Sequence, residues 1–132
     1  MTNYQNDLLN KLKRYLPMSD EVATFIVAQS VLETANFTSE VCRENNNLFG
    51  MKYPKVRVTT ALCENRFHAV YSSYIDSVID YVIWLSYQHF SKTDLIVLDK
   101  FKSKLQKSNY CPSPDYIKRI DSVYKLITNL NH

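Results

Sequence analysis

Leu8, Leu9, Leu12 and Leu16 repeat at helical spacing near the start of the chain, and Pro17 closes that element. Ser19 or Asp20 can cap a second helix, whose stripe runs Val22, Phe25, Ile26, Gln29, Leu32 and Glu33. Asn36, Phe37 and Thr38 break the period. A short third helix is predicted over residues 39–44, followed by the turn Asn45-Asn46-Asn47-Leu48-Phe49-Gly50. Between Tyr53 and Tyr71 the pattern becomes β-like. Val56, Val58, Thr59 and Thr60 form one run and His68-Ala69-Val70-Tyr71 another, which predicts a small hairpin or irregular loop joined around Cys63-Glu64-Asn65. Ser73-Tyr74-Ile75-Asp76 reads as a capping box. It opens a helix through about His89, with Ile75, Val78, Ile79, Val82, Ile83 and Leu85 inward and Trp84 as a packing residue. Leu95, Ile96, Leu98, Phe101 and Leu105 predict one further helix. Ser113 as N-cap with Pro114 at the first position opens the last, with Ile117, Ile120, Val123, Tyr124 and Ile127 as its buried stripe. The fold class is α+β, predominantly α.

A chain of 132 residues is expected to form one domain, residues 1–132, with a core that needs no staples. The net charge of +3 is dispersed, with no run of like charges, so a nucleic-acid partner is not expected. No stretch is long and apolar enough for a membrane span. Cys42, Cys63 and Cys111 lack metal-ligand spacing and are read as reduced thiols; no metal or other cofactor is expected. The N-terminal residues lack a basic segment followed by an apolar run, so synthesis in the cytoplasm without a signal peptide is expected.

Two features carry candidate chemistry. Glu33 stands on a mostly apolar stripe in the last turn of its helix, where desolvation and the helix dipole both favour the protonated acid. A general acid needs that property. The spacing alone is also met by the commoner case, a surface glutamate at a helix end or one paired with lysine. Gln29, one turn earlier, points the same way and can hydrogen-bond Glu33 or a substrate amide. The second feature is Gly50, the only glycine of the chain, placed directly after an Asn-rich turn. A lone glycine marks a position that needs φ > 0 or a close backbone approach.

Three segments stand in order: Gln29-x-x-Leu32-Glu33-Thr34, then Asn46-Asn47-Leu48-Phe49-Gly50-Met51-Lys52, then Tyr71-x-Ser73-Tyr74-x-x-Ser77-Val78-x-Asp80-Tyr81. With Tyr110-Cys111-Pro112-Ser113-Pro114-Asp115-Tyr116 they resemble the bacterial endo-β-N-acetylglucosaminidase family, the peptidoglycan hydrolases typified by autolysins and the flagellar rod-cap hydrolase. The resemblance runs from about residue 20 to 127. It implies a lysozyme-like fold, with a helical lobe and a small β-hairpin lobe flanking a glycan cleft. It implies Glu33 as general acid, Asn46 and Asn47 shaping the cleft floor, Phe49 packing behind or lining it, and Tyr116 near the scissile sugar. Tyr71 and Tyr74 match an aromatic pair, for which core anchoring is the commoner role and substrate contact the other.

The chain departs from that pattern twice. The family has a glycine shortly after the acid, whereas Ala35-Asn36-Phe37 stands here, so the turn must place Asn36 in the left-handed region or be reshaped. Glycosidases also use a second carboxylate, and the β region offers only Glu64, which fits an exposed turn residue equally well. Without Glu64, the N-acetyl group of the substrate could serve as nucleophile. Asp76 and Asp80 are read as a cap and a helix-surface acid. The resemblance therefore implies a hydrolase of β-1,4 bonds in peptidoglycan glycan strands; a monomer is expected, and the lack of a signal peptide leads to the expectation that it acts on the wall after lysis, phage delivery as an endolysin, or delivery by a transfer apparatus. A catalytically inactive glycan- or protein-binding module is the alternative.

Overall fold

The computed structural model describes residues 1–129 and is predominantly α-helical with one two-stranded antiparallel sheet. The chain forms two compact units, one of Met1–Gln29 with the chain from Gln88 onward, the other of Ser30–Tyr87. The class is the α+β, lysozyme-like one. Among the described residues no helix is long and apolar enough to cross a membrane.

In the first unit, α1 (Asn3–Tyr15) opens with a capping box between Thr2 and Gln5 and buries Leu8 and Leu12. Ser19 caps α2 (Asp20–Thr34), accepting from the Val22 N–H at 3.1 Å. The core gathers around Phe25, whose ring meets Phe101 edge-on at 6.0 Å and Tyr124 at 6.2 Å. The single helix expected over residues 95–105 is two. A capping box at Ser91 and Asp94 opens α5 (Lys92–Ile96), Val97 turns extended at φ −98°, and α6 (Leu98–Lys107) follows. The last helix, α7 (Tyr116–Asn129), starts two residues later than its proline suggests. Pro114 and Asp115 form a turn, and the Asp115 carbonyl accepts from the Arg119 N–H.

In the second unit α2 ends in a left-handed turn. Ala35, Asn36 and Phe37 have φ of 49°, 56° and 68°, so Asn36 is left-handed and the turn is also reshaped, with its two neighbours in the same region. Thr34 ties it down, donating its hydroxyl to the Ser30 carbonyl and accepting from the Phe37 N–H. Ala35 has no side-chain compensation for that conformation, which disfavours an L-residue by about 1–2 kcal/mol. Ala35→Gly is therefore expected to raise stability by about 0.5–1 kcal/mol after the greater freedom of unfolded glycine is subtracted. Urea denaturation checks this; an unchanged or lower midpoint would refute it.

Helix α3 (Glu40–Asn45) follows, capped by Ser39. The β excursion differs from expectation. Residues 56–60 form no strand; the strands are β1 (Cys63–Asn65) and β2 (His68–Val70), with Glu64 opposite Ala69. The hairpin turns at Arg66 and Phe67, both at positive φ, not around residues 63–65. Arg66 pairs with Glu40 and Glu44 of α3. Helix α4 (Tyr74–Tyr87) buries Ser77, Val78, Asp80, Tyr81, Trp84 and Leu85. Ile75 is exposed, so the inward face is rotated from the expected aliphatic stripe.

Candidate functional site

The Asn-rich turn is rigid because nearly every polar group in it has a partner. Asn46 takes the left-handed C-cap of α3 at φ 53° and donates its amide to the Tyr71 carbonyl at 2.9 Å. Asn47 is fully buried. It donates to the carbonyls of Met51 and Ala69, while its Oδ1 accepts from the N–H groups of Phe49 and Met51. One side chain thus ties the turn to itself and to β2. The Ser30 hydroxyl of α2 donates to the Leu48 carbonyl at 2.5 Å, and the Leu48 N–H donates to Ser77 of α4 at 3.0 Å. Phe49 stacks on Tyr81 with ring centroids 4.1 Å apart.

This scaffold delivers Gly50 at φ +66° against the carboxyl group of Glu33, so close that a Cβ on Gly50 would lie 2.8 Å from Glu33 Oε2. The lone glycine is required twice, by its conformation and by the group it faces. Glu33 itself is half-buried in the last turn of α2. In Gly50→Ala the obstructing atom is the far end of a side chain, so the carboxyl group swings away and the fold survives. The expected stability loss is about 1–2 kcal/mol from the left-handed alanine. Any activity in which the Glu33 carboxyl group reacts is expected to fall about 10²-fold, since small misplacements of a reacting group have effects of that size. Parallel measurement of unfolding and turnover checks this; equal turnover in variant and parent would sink it.

The structure places the sequence-predicted residues as follows. Asn47, Phe49 and Tyr71 are buried and engaged within the second unit. Gln29 and Tyr116 belong to the first unit, where the Gln29 amide donates to the Tyr116 hydroxyl at 3.1 Å and Tyr110 stacks on Tyr116 at 6.1 Å. Both are buried. Glu64 is exposed on β1 in the same unit as Glu33. The Ala69 N–H and carbonyl face away from β1, toward Met51 and Asn47, which makes Glu64 and Ala69 a non-hydrogen-bonded pair with side chains on one face of the hairpin.

Asp80 is the largest correction. Expected on a helix surface, it is fully buried. Arg57 grips it with both terminal nitrogens at 2.6 and 3.1 Å, Thr59 donates to it at 2.8 Å, and the Tyr71 hydroxyl donates to its other oxygen. Ser77, Asp80, Tyr81 and Trp84 sit at the i, i+3, i+4, i+7 spacing of one helix face, a signal that could have marked Asp80 as inward. Asp76 is a cap element as expected, its N–H donating to Ser73 and its carboxylate accepting from Ser72. Burial first, then the adjacent Asp80 carboxylate, pushes the Tyr71 hydroxyl well above the usual tyrosine range. Below about pH 10 that proton is bound whether the chain is folded or not; above it, only the unfolded chain releases it. Stability is therefore lost as pH rises past 10, by up to about 1.4 kcal/mol per unit. Tyr71→Phe is expected to flatten that slope, and urea midpoints between pH 9 and 11 check it; an unchanged slope would exclude Tyr71 as its source.

Cys42, Cys63 and Cys111 are free, with Cys42 buried and its thiol pushed up by that burial. A family model, Glucosaminidase, described as mannosyl-glycoprotein endo-beta-N-acetylglucosaminidase, matches residues 9–129. No curated protein and no solved structure matches the chain.

Proposed function

The chain belongs to the glucosaminidase family, whose model covers nearly all of it, and on that premise we propose that it hydrolyses the β-1,4 glycosidic bonds of peptidoglycan with Glu33 as general acid. Family membership supports glycan hydrolysis in general. The observation that carries the finer reading is the only glycine of the chain, held at φ +66° by the hydrogen-bonded Asn turn directly against the Glu33 carboxyl group. Glu33 is half-buried in the last turn of α2, and a general acid there would donate its proton to a glycosidic oxygen.

Glu64 is the second carboxylate in this reading. It is solvent-accessible and shares the hairpin face of Ala69, whose backbone is bonded to the same turn that carries Gly50. An accessible carboxylate suits activation of water or attack on the sugar. The 132 residues act as one catalytic domain on glycan strands.

The test is release of reducing ends and muropeptides from purified walls, with a mannosyl glycoprotein as second substrate and mass spectrometry of the products. Soluble fragments ending in N-acetylglucosamine, from walls alone, are expected. Cleavage of the glycoprotein alone would overturn the substrate, and binding to walls without release would favour the inactive glycan-binding module.

A further inference from the structure

Residues 53–62 lead into the strand that carries Glu64, yet they contain no helix or strand. Apolar burial does not hold them either, since Val56 and Val58 are 82% and 80% exposed. Polar contacts to α4 do. Arg57 grips Asp80 through two nitrogens and donates to its neighbour's carbonyl at Val58. Thr59 donates to Asp80 and accepts from the Ala61 N–H, and the Thr60 hydroxyl donates to the Asp76 carbonyl at 2.5 Å. The next residue, Leu62, donates its N–H to the Val70 carbonyl and begins the hairpin. A hairpin of three residues per strand has little stability of its own. Its turn end is tied to α3 through Arg66 and through reciprocal amide bonds between Asn45 and Asn65. At the other end β2 is tied to the Asn-rich turn through Ala69 and Tyr71, whereas the approach to β1 is held to α4 by the contacts of Arg57, Thr59 and Thr60 with Asp80 and the Asp76 carbonyl.

We propose that the Arg57–Asp80 ion pair is a positioning element for the second carboxylate, holding residues 53–62 on α4 so that β1 presents Glu64 in one place. The inference rests on the reading of Glu64 as the second carboxylate. A buried ion pair adds little net stability over apolar side chains of the same volume, but its geometry is demanding. The forked arginine matters more than its charge: lysine keeps the charge and loses both the paired nitrogens and the reach to the Val58 carbonyl.

Two measurements on the full chain test it. The first is amide hydrogen exchange in Arg57→Lys. Leu62 and the hairpin amides are expected to exchange at least 10-fold faster, with the amides of α2 unchanged; unchanged hairpin exchange, or uniform acceleration everywhere, overturns the proposal. The second is a double-mutant cycle on wall hydrolysis with Glu64→Gln. Arg57→Lys is expected to lower kcat at least 10-fold, with KM within 2-fold, in the parent, and to change kcat less than 2-fold in the Glu64→Gln background. Equal losses in both backgrounds would mean a general structural role and overturn it, as would full activity of Glu64→Gln. If the parent chain releases nothing from walls, the functional reading fails and the exchange result alone decides whether the pair positions the hairpin. Should Arg57→Lys fail to fold, Thr59→Val removes one hydroxyl from the same network and is expected to show both effects at about one-third of their size.

Discussion

Glu33→Gln is expected to lower wall hydrolysis by about 10²–10⁴-fold, the range over which a positioned general acid contributes to turnover. The substitution keeps the size and shape of the side chain, so the close approach to Gly50 is preserved and the fold is not challenged. It removes only the proton to be delivered. Folding stability should therefore stay within about 1 kcal/mol of the parent, as for most substitutions that leave packing intact. Binding to insoluble walls should persist, because the loss lies in the transition state and not in ground-state contacts. The measurement is turbidity loss together with reducing-end release at matched protein concentration. If the two proteins clear walls equally, Glu33 is not the acid.

The second large effect concerns stability. Asp80→Ala is expected to destabilise the protein by about 3–5 kcal/mol, because removing one partner leaves the other as an uncompensated buried charge. Arg57 has a side chain only 6% exposed, and its guanidinium would keep just the Val58 carbonyl; the hydroxyls of Thr59 and Tyr71 would lose an acceptor as well. For a chain of this size the loss corresponds to a fall in Tm of roughly 10–20 °C. Replacing both members with apolar residues, as in Arg57→Met with Asp80→Met, is expected to destabilise less than Asp80→Ala alone, since no orphaned charge remains. Thermal and urea unfolding of the single and double variants settle the comparison. A single variant within about 1 kcal/mol of the parent would show that water reaches Arg57 readily enough to replace its partner.

The helices were legible wherever burial followed apolar periodicity. Leu8 and Leu12 in α1, the continuous run from Val22 in α2, and Ile120 and Ile127 in α7 all stand where a 3.6-residue period places them. The β region was not legible because its alternation is inverted. In residues 56–59 the valines face solvent and Arg57 and Thr59 face inward, so the hydrophobic residues mark the wrong side. The same buried pair rotates the inward face of α4 away from its aliphatic stripe and toward Ser77, Asp80 and Tyr81. Val97 escaped notice because Leu95, Leu98, Phe101 and Leu105 keep a helical rhythm across a break that only its extended backbone reveals. At the site, Glu33 and Gly50 were each conspicuous in the sequence for separate reasons. Their mutual approach was not, because it depends on hydrogen bonds from Asn47, Ser30 and Ser77 that join positions far apart in the chain.

Glycine is nearly absent, yet eight non-glycine residues among those described adopt positive φ. Its scarcity also acts on the unfolded ensemble. A chain with one glycine samples fewer backbone conformations when denatured, so it surrenders less disorder on folding. The left-handed turns at Ala35–Phe37 and Arg66–Phe67 store strain in the native state, while the same substitutions narrow the competing state. Replacing all eight with glycine would relieve that strain and widen the denatured ensemble together. The net gain would come from Ala35, Phe37, Arg66, Phe67 and His89, and would nearly vanish at Asn36, Asn46 and Asn109, whose short amide side chains already tolerate the left-handed region.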